Sequence, residues 1–421
     1  MSRRHLRSSR VGRYLPPLGN EFISVEALSG LVLFVAAIAA LVWANLDPAS
    51  YTDVWGTDVT VGIGSASITL SLAGWVNDGL MTIFFFVVGL EIKREIVEGE
   101  LRDRRNAVLP VLAALGGMIL PALIFLSFNS AGAGADGWGI PMATDIAFSL
   151  GVLAILGSRV SSGVKLFLLT LAIVDDIGAI IVIAVFYTSD LQPEWFLVAA
   201  IAVSLVIGLR RVGLRWVALL HPAVYLVPAL VLWGALHESG VHATIAGVIL
   251  GLLTPVIPGA VAGPAERLEY RIHPWSSFLI VPVFALANAG VVLGAAALER
   301  ASSSAVTWGT AVGLVVGKMV GITVLTLIGL GLGVGRLPAG MRRIQVVGVA
   351  AVAGIGFTVS LFVADLSFTG TMLDDAKLGI LFASVVAGIM GAAVLRAAGR
   401  APSNPSIVAT DPDADFERGH A

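Results

Sequence analysis

Residues 166–186 form a long, largely apolar run whose only charges are two adjacent carboxylates, Asp175 and Asp176. A helix of this length is long enough to cross about 30 Å of hydrocarbon, which would place the pair near the middle of a membrane. Charged side chains oppose insertion at that depth, so they usually face a bundle interior or a water-filled cavity and mark an ion or proton path. This run therefore predicts a membrane helix with a functional site at its centre.

The overall composition extends this prediction to the whole chain. Of the 421 residues 57% are hydrophobic and 13% charged, and the mean hydropathy is +0.93, values typical of proteins that cross the membrane many times. The chain contains no cysteine. Disulfides, thiolate metal sites and cysteine nucleophiles are therefore excluded.

The hydropathy pattern predicts an all-α polytopic membrane protein with about twelve transmembrane helices. The spans lie near residues 27–46, 72–92, 107–128, 137–157, 165–187, 195–210, 216–236, 241–258, 275–298, 306–335, 343–366 and 377–397. An even number of spans returns both termini to one side, and nearly all Lys and Arg residues fall on that side. Both termini are therefore predicted to be cytoplasmic.

Residues 51–70, between the first two spans, alternate β-branched and polar residues around a glycine-rich centre. This pattern favours a β-hairpin outside the membrane over an ordinary loop.

Two spans are predicted to be interrupted. Pro141 disfavours helix just before Thr144 and Asp145 in the fourth span, and Gly354 and Gly356 permit unwinding in the eleventh. Unwound backbone at membrane depth is tolerated only where protein or a water-filled cavity satisfies it. The matching positions of the two breaks suggest inverted repeats, roughly spans 3–5 and 10–12, with the broken helices crossing at the midplane.

Crossed half-helices would leave partial charges in hydrocarbon that a carboxylate and an ammonium could neutralise. Asp145 and Lys318 are the candidates for this role, although charge compensation without any ligand contact is an equally good interpretation of both. Lys318 is the only basic residue deep in any span, so it needs an anionic partner, for which Asp175 is the candidate.

Further ionisable residues lie near the ends of spans. Asp78 is interpreted first as a hydrogen-bonding partner of a neighbouring helix, with ion binding as the alternative. His242 is interpreted first as a packed, satisfied histidine, with a pH sensor or ligand as the alternative. Glu91, Arg94 and Glu95 follow the second span. They fit a solvated, basic cytoplasmic flank, but Glu91 directly follows the apolar run and could respond to pH near neutrality.

The carboxylate pair defines a plausible chemistry. Adjacent helical positions point about 100° apart, so one carboxylate can face a cavity while the other meets Lys318. Carboxylate oxygens bind protons and also suit small alkali cations. Protons and Na+ or Li+ would then compete for Asp175 and Asp176, and a carrier that crosses poorly when empty becomes an exchanger.

The chain resembles the NhaA-type sodium/proton antiporter family from about residue 21 to residue 395. The likeness is carried by FFFVVGLEIKRE, PMATDIAFSLGVLAILG, LAIVDDIGAI, SGVHATIAGVILG, HPWSSFLIVPVFALANAG, GKMVGI and GIGFTVSLF. This resemblance implies that Asp176 is the principal cation and proton carboxylate. Asp175 would be its partner, exchanging a salt bridge to Lys318 for the bound state, with Thr144 and Asp145 beside the site.

The resemblance also implies regulation and assembly. Glu91, Arg94 and Glu95 match a pH-response region, and Asp78 and His242 match positions linked to pH-dependent activity. Family members are electrogenic and often form dimers partly through the external hairpin, which implies a homodimer through residues 51–70.

The leading hypothesis is a pH-regulated, electrogenic Na+(Li+)/H+ antiporter of a bacterial inner membrane that exports sodium. No cofactor or nucleic-acid partner is expected beyond the transported ions and the lipid bilayer. Residues 1–26 would be a basic cytoplasmic segment, residues 27–399 the antiporter domain and residues 400–421 a disordered cytoplasmic tail. The alternatives are an intramembrane aspartyl protease, which would need a second aspartate from another helix such as Asp78 or Asp145, and a cation channel.

Overall fold

The computed structural model describes residues 20–63, 66–188, 191–215, 225–257 and 263–399. Residues 1–19 and 400–421, which include most of the predicted basic segment and the whole predicted tail, lie outside these ranges. So do residues 216–224, at the start of the predicted seventh span. The described chain is almost entirely helical, in agreement with the predicted all-α membrane protein.

The helices follow one another with short connections. They are α1 Asn20–Leu46, α2 Pro48–Gly56, α3 Leu72–Gly74, α4 Met81–Val97, α5 Arg104–Phe128, α6 Ile146–Leu156, α7 Ser162–Phe186, α8 Pro193–Arg215, α9 Leu226–Glu238, α10 Ile245–Leu253, α11 Pro264–Trp275, α12 Val281–Asn288, α13 Ala295–Ser303, α14 Ala305–Val312, α15 Lys318–Gly331, α16 Arg343–Val352, α17 Phe357–Ser367 and α18 Gly370–Ala398. Segments of π-helix occupy Trp75–Leu80, Ser276–Ile280 and Gly313–Gly317, and 3-10 segments occupy Glu100–Arg102, Ala133–Met142 and Gly157–Arg159.

Six helical stretches in the described ranges are long and apolar enough to cross a membrane, and two bent helix pairs raise the number to eight. The six are Leu28–Leu46, Arg104–Phe128, Ser162–Phe186, Pro193–Arg211, Ala305–Gly331 and Gly370–Ala398. Several other predicted spans correspond to shorter helices or to helices divided by a π-helical segment, such as α4 after Trp75–Leu80. The structure is therefore a multi-span helical membrane protein.

The outward faces of the helices are apolar. On α1, Leu31, Phe34, Val35 and Ile38 are all more than two-fifths exposed, and α8 and α18 carry similar residues. Large contiguous apolar surface is rare on water-soluble monomers. These faces fit contact with lipid.

Both predicted interruptions are present. The 3-10 segment Ala133–Met142 meets α6 at a bend of 41°, and α16 meets α17 at a bend of 47°. The two breaks contact each other, because the Asp145 N–H donates to Ile355 O at 2.6 Å and Thr144 Oγ1 lies 2.9 Å from Ala353 O. Each break thus supplies partners for polar backbone groups of the other.

The predicted hairpin is present but shorter than expected. Strands β1 Asp58–Ile63 and β2 Ala66–Ser71 pair antiparallel, with Val59 opposite Leu70. The prediction of a strand from residue 51 was wrong, because residues 51–56 belong to α2. Asp47 caps α2 by accepting from Ser50 N at 3.0 Å, and Pro48 occupies its first turn, where a missing N–H costs nothing.

Two pairs of helices are joined through glycines. On α5 and α15, Gly116 and Gly321 bring their backbones so close that a Cβ on either would collide with the carbonyl of the other. On α4, a Cβ at Gly89 would lie 2.8 Å from Val248 O of α10. Small residues at such contacts let membrane helices pack backbone against backbone.

Candidate ion-binding site

The carboxylate pair lies in the middle of α7, which begins where Ser161 accepts a hydrogen bond from Val164 N at 3.4 Å. Asp175 and Asp176 are 1% and 7% exposed, so both are removed from lipid and bulk water. Because they point in different directions around α7, they have different neighbours.

Asp175 faces Lys318, which lies at the start of α15 directly after the π-helical segment Gly313–Gly317. The Lys318 ammonium is fully buried and contacts Asp175 Oδ2. Thr144 completes the group, because its hydroxyl accepts from Lys318 Nζ at 2.6 Å and donates to Asp175 Oδ2 at 2.6 Å. The contact expected between Lys318 and Asp175 is therefore present, and it joins α7, α15 and the fourth-span break.

Asp145 holds the two half-helices together. Its Oδ1 accepts from Phe148 N at 3.0 Å at the start of α6, and its Oδ2 accepts from Thr358 N at 3.0 Å and Thr358 Oγ1 at 2.7 Å at the start of α17. A helix N-terminus carries a partial positive charge. One buried carboxylate thus caps two positive helix ends, which is the geometry expected of a charge-compensating residue.

Asp176 lines a cavity of about 70 Å³. The polar groups that line the cavity include Glu91, Thr144, Asp145, Asp176, His273, Ser29, Ser276, Ser277 and Thr358. Asp176 Oδ1 and Asp175 Oδ1 are both buried, and neither has a hydrogen-bond partner in the described part of the chain. Buried carboxylate oxygens are normally partnered. These two are therefore free to take a proton or a small hard cation, whose preferred ligands are oxygens.

The Glu91 end of the cavity carries a second group of charges. Arg94 Nη1 lies 3.0 Å from Glu269 Oε1, and Glu91 Oε1 lies 3.9 Å from His273 Nε2. Glu95 accepts from the Glu100 N–H at 2.8 Å. This group joins α4 to α11.

The sequence did not single out Glu269. Burial raises the pKa of Glu269, while Arg94 and His273 oppose that rise and Glu266 adds to it. Its only sequence signal is its place in the strongly amphipathic segment α11, from which an ion pair with Arg94 cannot be read.

Asp78 and His242 lie together at the opposite end of the second span. Asp78 Oδ1 is 3.6 Å from His242 Nε2, and Asp78 Oδ2 is 3.6 Å from Nδ1 of His237, which sequence reasoning had missed. Thirteen residues of helix, about 20 Å, separate Asp78 from Glu91. The five residues assigned to pH response therefore form two separate groups.

A bundle of membrane-length helices that buries an acidic pair beside two broken helices in contact with each other is a membrane transporter of the broken-helix class. More particularly, the chain belongs to the family described as Na+/H+ antiporter 1, which matches residues 20–395.

Named relatives agree with this assignment. The chain is 46% identical to Na(+)/H(+) antiporter NhaA 3 of Frankia alni, over 91% of this chain and 89% of that protein. It is 43% identical to Na(+)/H(+) antiporter NhaA 2 of Sorangium cellulosum, over 97% and 96% of the two chains. A third relative, Na(+)/H(+) antiporter NhaA of Escherichia coli, is 44% identical over 90% of this chain and 97% of its own length.

Proposed function

We propose that this protein exchanges Na+ or Li+ for protons across a bacterial inner membrane. The observation that carries the proposal concerns Asp176, which lines the cavity beside the Asp175–Lys318 pair and whose Oδ1 has no hydrogen-bond partner among the described residues. Protons and small cations compete for the same oxygens, so the site carries one or the other. The names of the relatives and the family description support the same activity.

Lys318 gives the competition a second component. When a cation binds between the two carboxylates, its charge replaces that of the ammonium at Asp175, and Lys318 is released from the contact. When the cation leaves, Lys318 regains the proton that it gave up on release and, with Thr144, again neutralises Asp175, while Asp176 takes a second proton. Exchange of more than one proton for each sodium ion makes transport electrogenic, and this is part of the proposal.

The group at Glu91 is proposed to make transport depend on pH. Its ion pairs couple α4 to α11 beside the mouth of the cavity, so a change in the charge of Glu269 or His273 alters the contact between the helices that line the ion path.

The finer architecture is also proposed. It comprises about twelve spans with inverted repeats, both termini in the cytoplasm, and a homodimer formed through the hairpin. The basic residues around the Glu91 end and the hairpin at the other end support this orientation. The domain limits are kept at residues 1–26, 27–399 and 400–421.

The family assignment makes the protein a transporter rather than an enzyme. The contacts of Asp145 also fit poorly with the protease alternative, because both of its oxygens are engaged in capping α6 and α17. A channel differs from an exchanger in needing no counter-ion.

The test uses purified full-length protein in proteoliposomes with a preset pH gradient. Addition of NaCl or LiCl is expected to dissipate the gradient in the wild type and in Asp53→Asn, a control that removes an exposed carboxylate of α2. Asp176→Asn is expected to abolish the response. Exchange that survives in Asp176→Asn, or sodium flux that needs no proton gradient and no counter-ion, would contradict the proposal.

A further inference from the structure

A polar group at the hairpin end of the bundle takes no part in the exchange described above. Asp365 lies near the end of α17, and Asn77 Nδ2 donates to its Oδ2 at 2.7 Å. Asn288 Nδ2 in turn donates to Asn77 Oδ1 at 2.8 Å. Both amides are buried, at 6% and 3% exposure. A carboxylate supported by buried amides within a membrane bundle is costly to maintain and marks a functional position.

A contact with the hairpin shows at which end of the bundle this group lies. Trp75, two residues before Asn77, donates its Nε1–H to Val59 O of β1 at 2.8 Å. Glu91, which lines the cavity, is fourteen residues further along the same helical span, or about 20 Å away. Asp365 and Glu91 therefore lie at opposite ends of the bundle.

A single stripe of α17 connects Asp365 to the ion-binding site. Thr358, Phe362 and Asp365 follow at intervals of four and three residues, which places them on one face of the helix. Thr358 lines the cavity and donates to Asp145. Asp365 is thus about 10 Å beyond the cavity on the same helix face.

Between them lies a layer of three phenylalanines, Phe85, Phe284 and Phe362. The ring of Phe362 is 5.4 Å from that of Phe85 and 6.2 Å from that of Phe284, centroid to centroid. All three side chains are at least nineteen-twentieths buried. The His242 ring packs on Phe362 from the hairpin side at 4.9 Å. On the face of α17, Phe362 therefore lies between Thr358, which lines the cavity, and Asp365.

The charges around Asp365 are arranged for exchange rather than for a fixed ion pair. Lys377 of α18 is 9% exposed, and it makes no hydrogen bond or ion pair with any described residue, although its charge acts on both Asp365 and Asp374. Asp78 lies close enough to act on Asp365 with a like charge. The remaining titratable groups are engaged elsewhere: His237 and His242 with Asp78, and Asp375 with Arg300.

We propose that Asp365 is an outer station on the ion path, that is, a second carboxylate that binds the cation or the proton. Asn77 donates a hydrogen bond to it, and the ammonium of Lys377 competes with the cation for it. Sodium or lithium leaving Asp176 past the phenylalanine layer meets this carboxylate first, and protons entering from the hairpin side load onto it. Lys377 competes with the cation there, as Lys318 competes with it at Asp175. This inference rests on the proposed sodium/proton exchange and adds a second carboxylate to it.

The test exploits the two faces of the protein. Thr52, exposed on α2 at the hairpin end, is replaced by cysteine in a chain that has none, so an impermeant maleimide reports the orientation of each vesicle preparation. The apparent KM for Na+ is then measured from the hairpin face and from the Glu91 face. The variants are Asp365→Asn, Lys377→Gln, the control Asp374→Asn, which lies near Lys377 but makes no hydrogen bond to Asn77, and Asp176→Asn.

Asp365→Asn is expected to raise the KM at the hairpin face by about tenfold, the effect of losing one strong charged interaction, and to leave the other face within about twofold. Lys377→Gln is expected to lower the KM at the hairpin face, and Asp374→Asn to change neither. Unchanged values at both faces in Asp365→Asn, or equal losses at both faces, would overturn the outer station. Exchange that persists in Asp176→Asn would instead overturn the proposed function itself.

Discussion

The contact between Lys318 and Asp175 gives the sharpest prediction of stability. Both side chains are almost completely excluded from solvent, at 0% and 1% exposure, so water screens neither charge. The change is Lys318→Met, which keeps the apolar length of the side chain and removes the ammonium. Asp175 then keeps only the Thr144 hydroxyl as a donor.

The magnitude follows from two routes. Removing one partner of a buried ion pair costs about 3–5 kcal/mol in other proteins, because the remaining charge is left uncompensated. Coulomb's law gives about 4 kcal/mol for a pair at 4 Å with an effective dielectric constant of about 20. We therefore expect Lys318→Met to lower the free energy of unfolding by about 4 kcal/mol.

The double variant Lys318→Met/Asp175→Asn removes both charges and is expected to recover most of that loss. Unfolding is followed by circular dichroism in mixed micelles with increasing fractions of denaturing detergent. Arg300→Met is the comparison, since Arg300 is 38% exposed and water screens its charge, so its pair with Asp375 is expected to contribute less than the fully buried pair. A double variant no more stable than Lys318→Met would refute the uncompensated-charge explanation.

Three further predictions concern other parts of the molecule. Burial raises the pKa of Glu269, so between its ordinary pKa and the raised value the folded protein binds more protons than the unfolded chain. The free energy of unfolding should therefore fall as pH rises through that interval, and Glu269→Gln should abolish this fall in thermal melts at a series of pH values; an equal slope in both proteins would contradict it. Gly321→Ala should destabilise the protein by about 1–3 kcal/mol, because the added Cβ collides with the Gly116 carbonyl. The control Gly331→Ala lies on the same helix, its Cβ meets nothing within 4 Å, and it should be neutral or stabilising. Equal melting temperatures for the two variants would contradict this prediction. Replacing residues 58–71 by a short glycine–serine linker should convert the proposed dimer to a monomer in light scattering, and an unchanged mass would exclude the hairpin as the interface.

Much of the central site could be predicted because ionisable residues stand out in apolar sequence. Asp175, Asp176 and Lys318 are visible for that reason, and Pro141 and the glycines at 354 and 356 mark the breaks. The sequence also named Asp175 as the candidate partner of Lys318, and the two are in contact. The geometry that the sequence could not supply is the Thr144 hydroxyl that lies within hydrogen-bond distance of both.

Other site residues escaped because their meaning depends on distant contacts. Glu269 reads as one of several charges on an amphipathic helix until α11 packs against α4 and Arg94 meets it. Asp365 falls in the last turn of α17, and only the arrival of Asn77 from another span shows that it is supported by a buried group. The helical start of the hairpin region was predictable in principle, because Asp47 and Pro48 form a standard helix-start pattern that the strand-like alternation obscured.

The glycine contacts have a consequence for how the protein can move. The backbones of α4 and α10, and those of α5 and α15, touch through glycines, so we expect each pair of helices to move as one rigid unit. Asp145 joins α6 to α17 by accepting hydrogen bonds from the first turn of each helix. Between the α4–α10 pair and the joined α6 and α17 lie the cavity and the contact of Phe85 with Phe362. Alternating access is therefore expected to displace these rigid units relative to each other along that boundary. The rings of Phe85 and Phe362 would change partners while the helices stay intact.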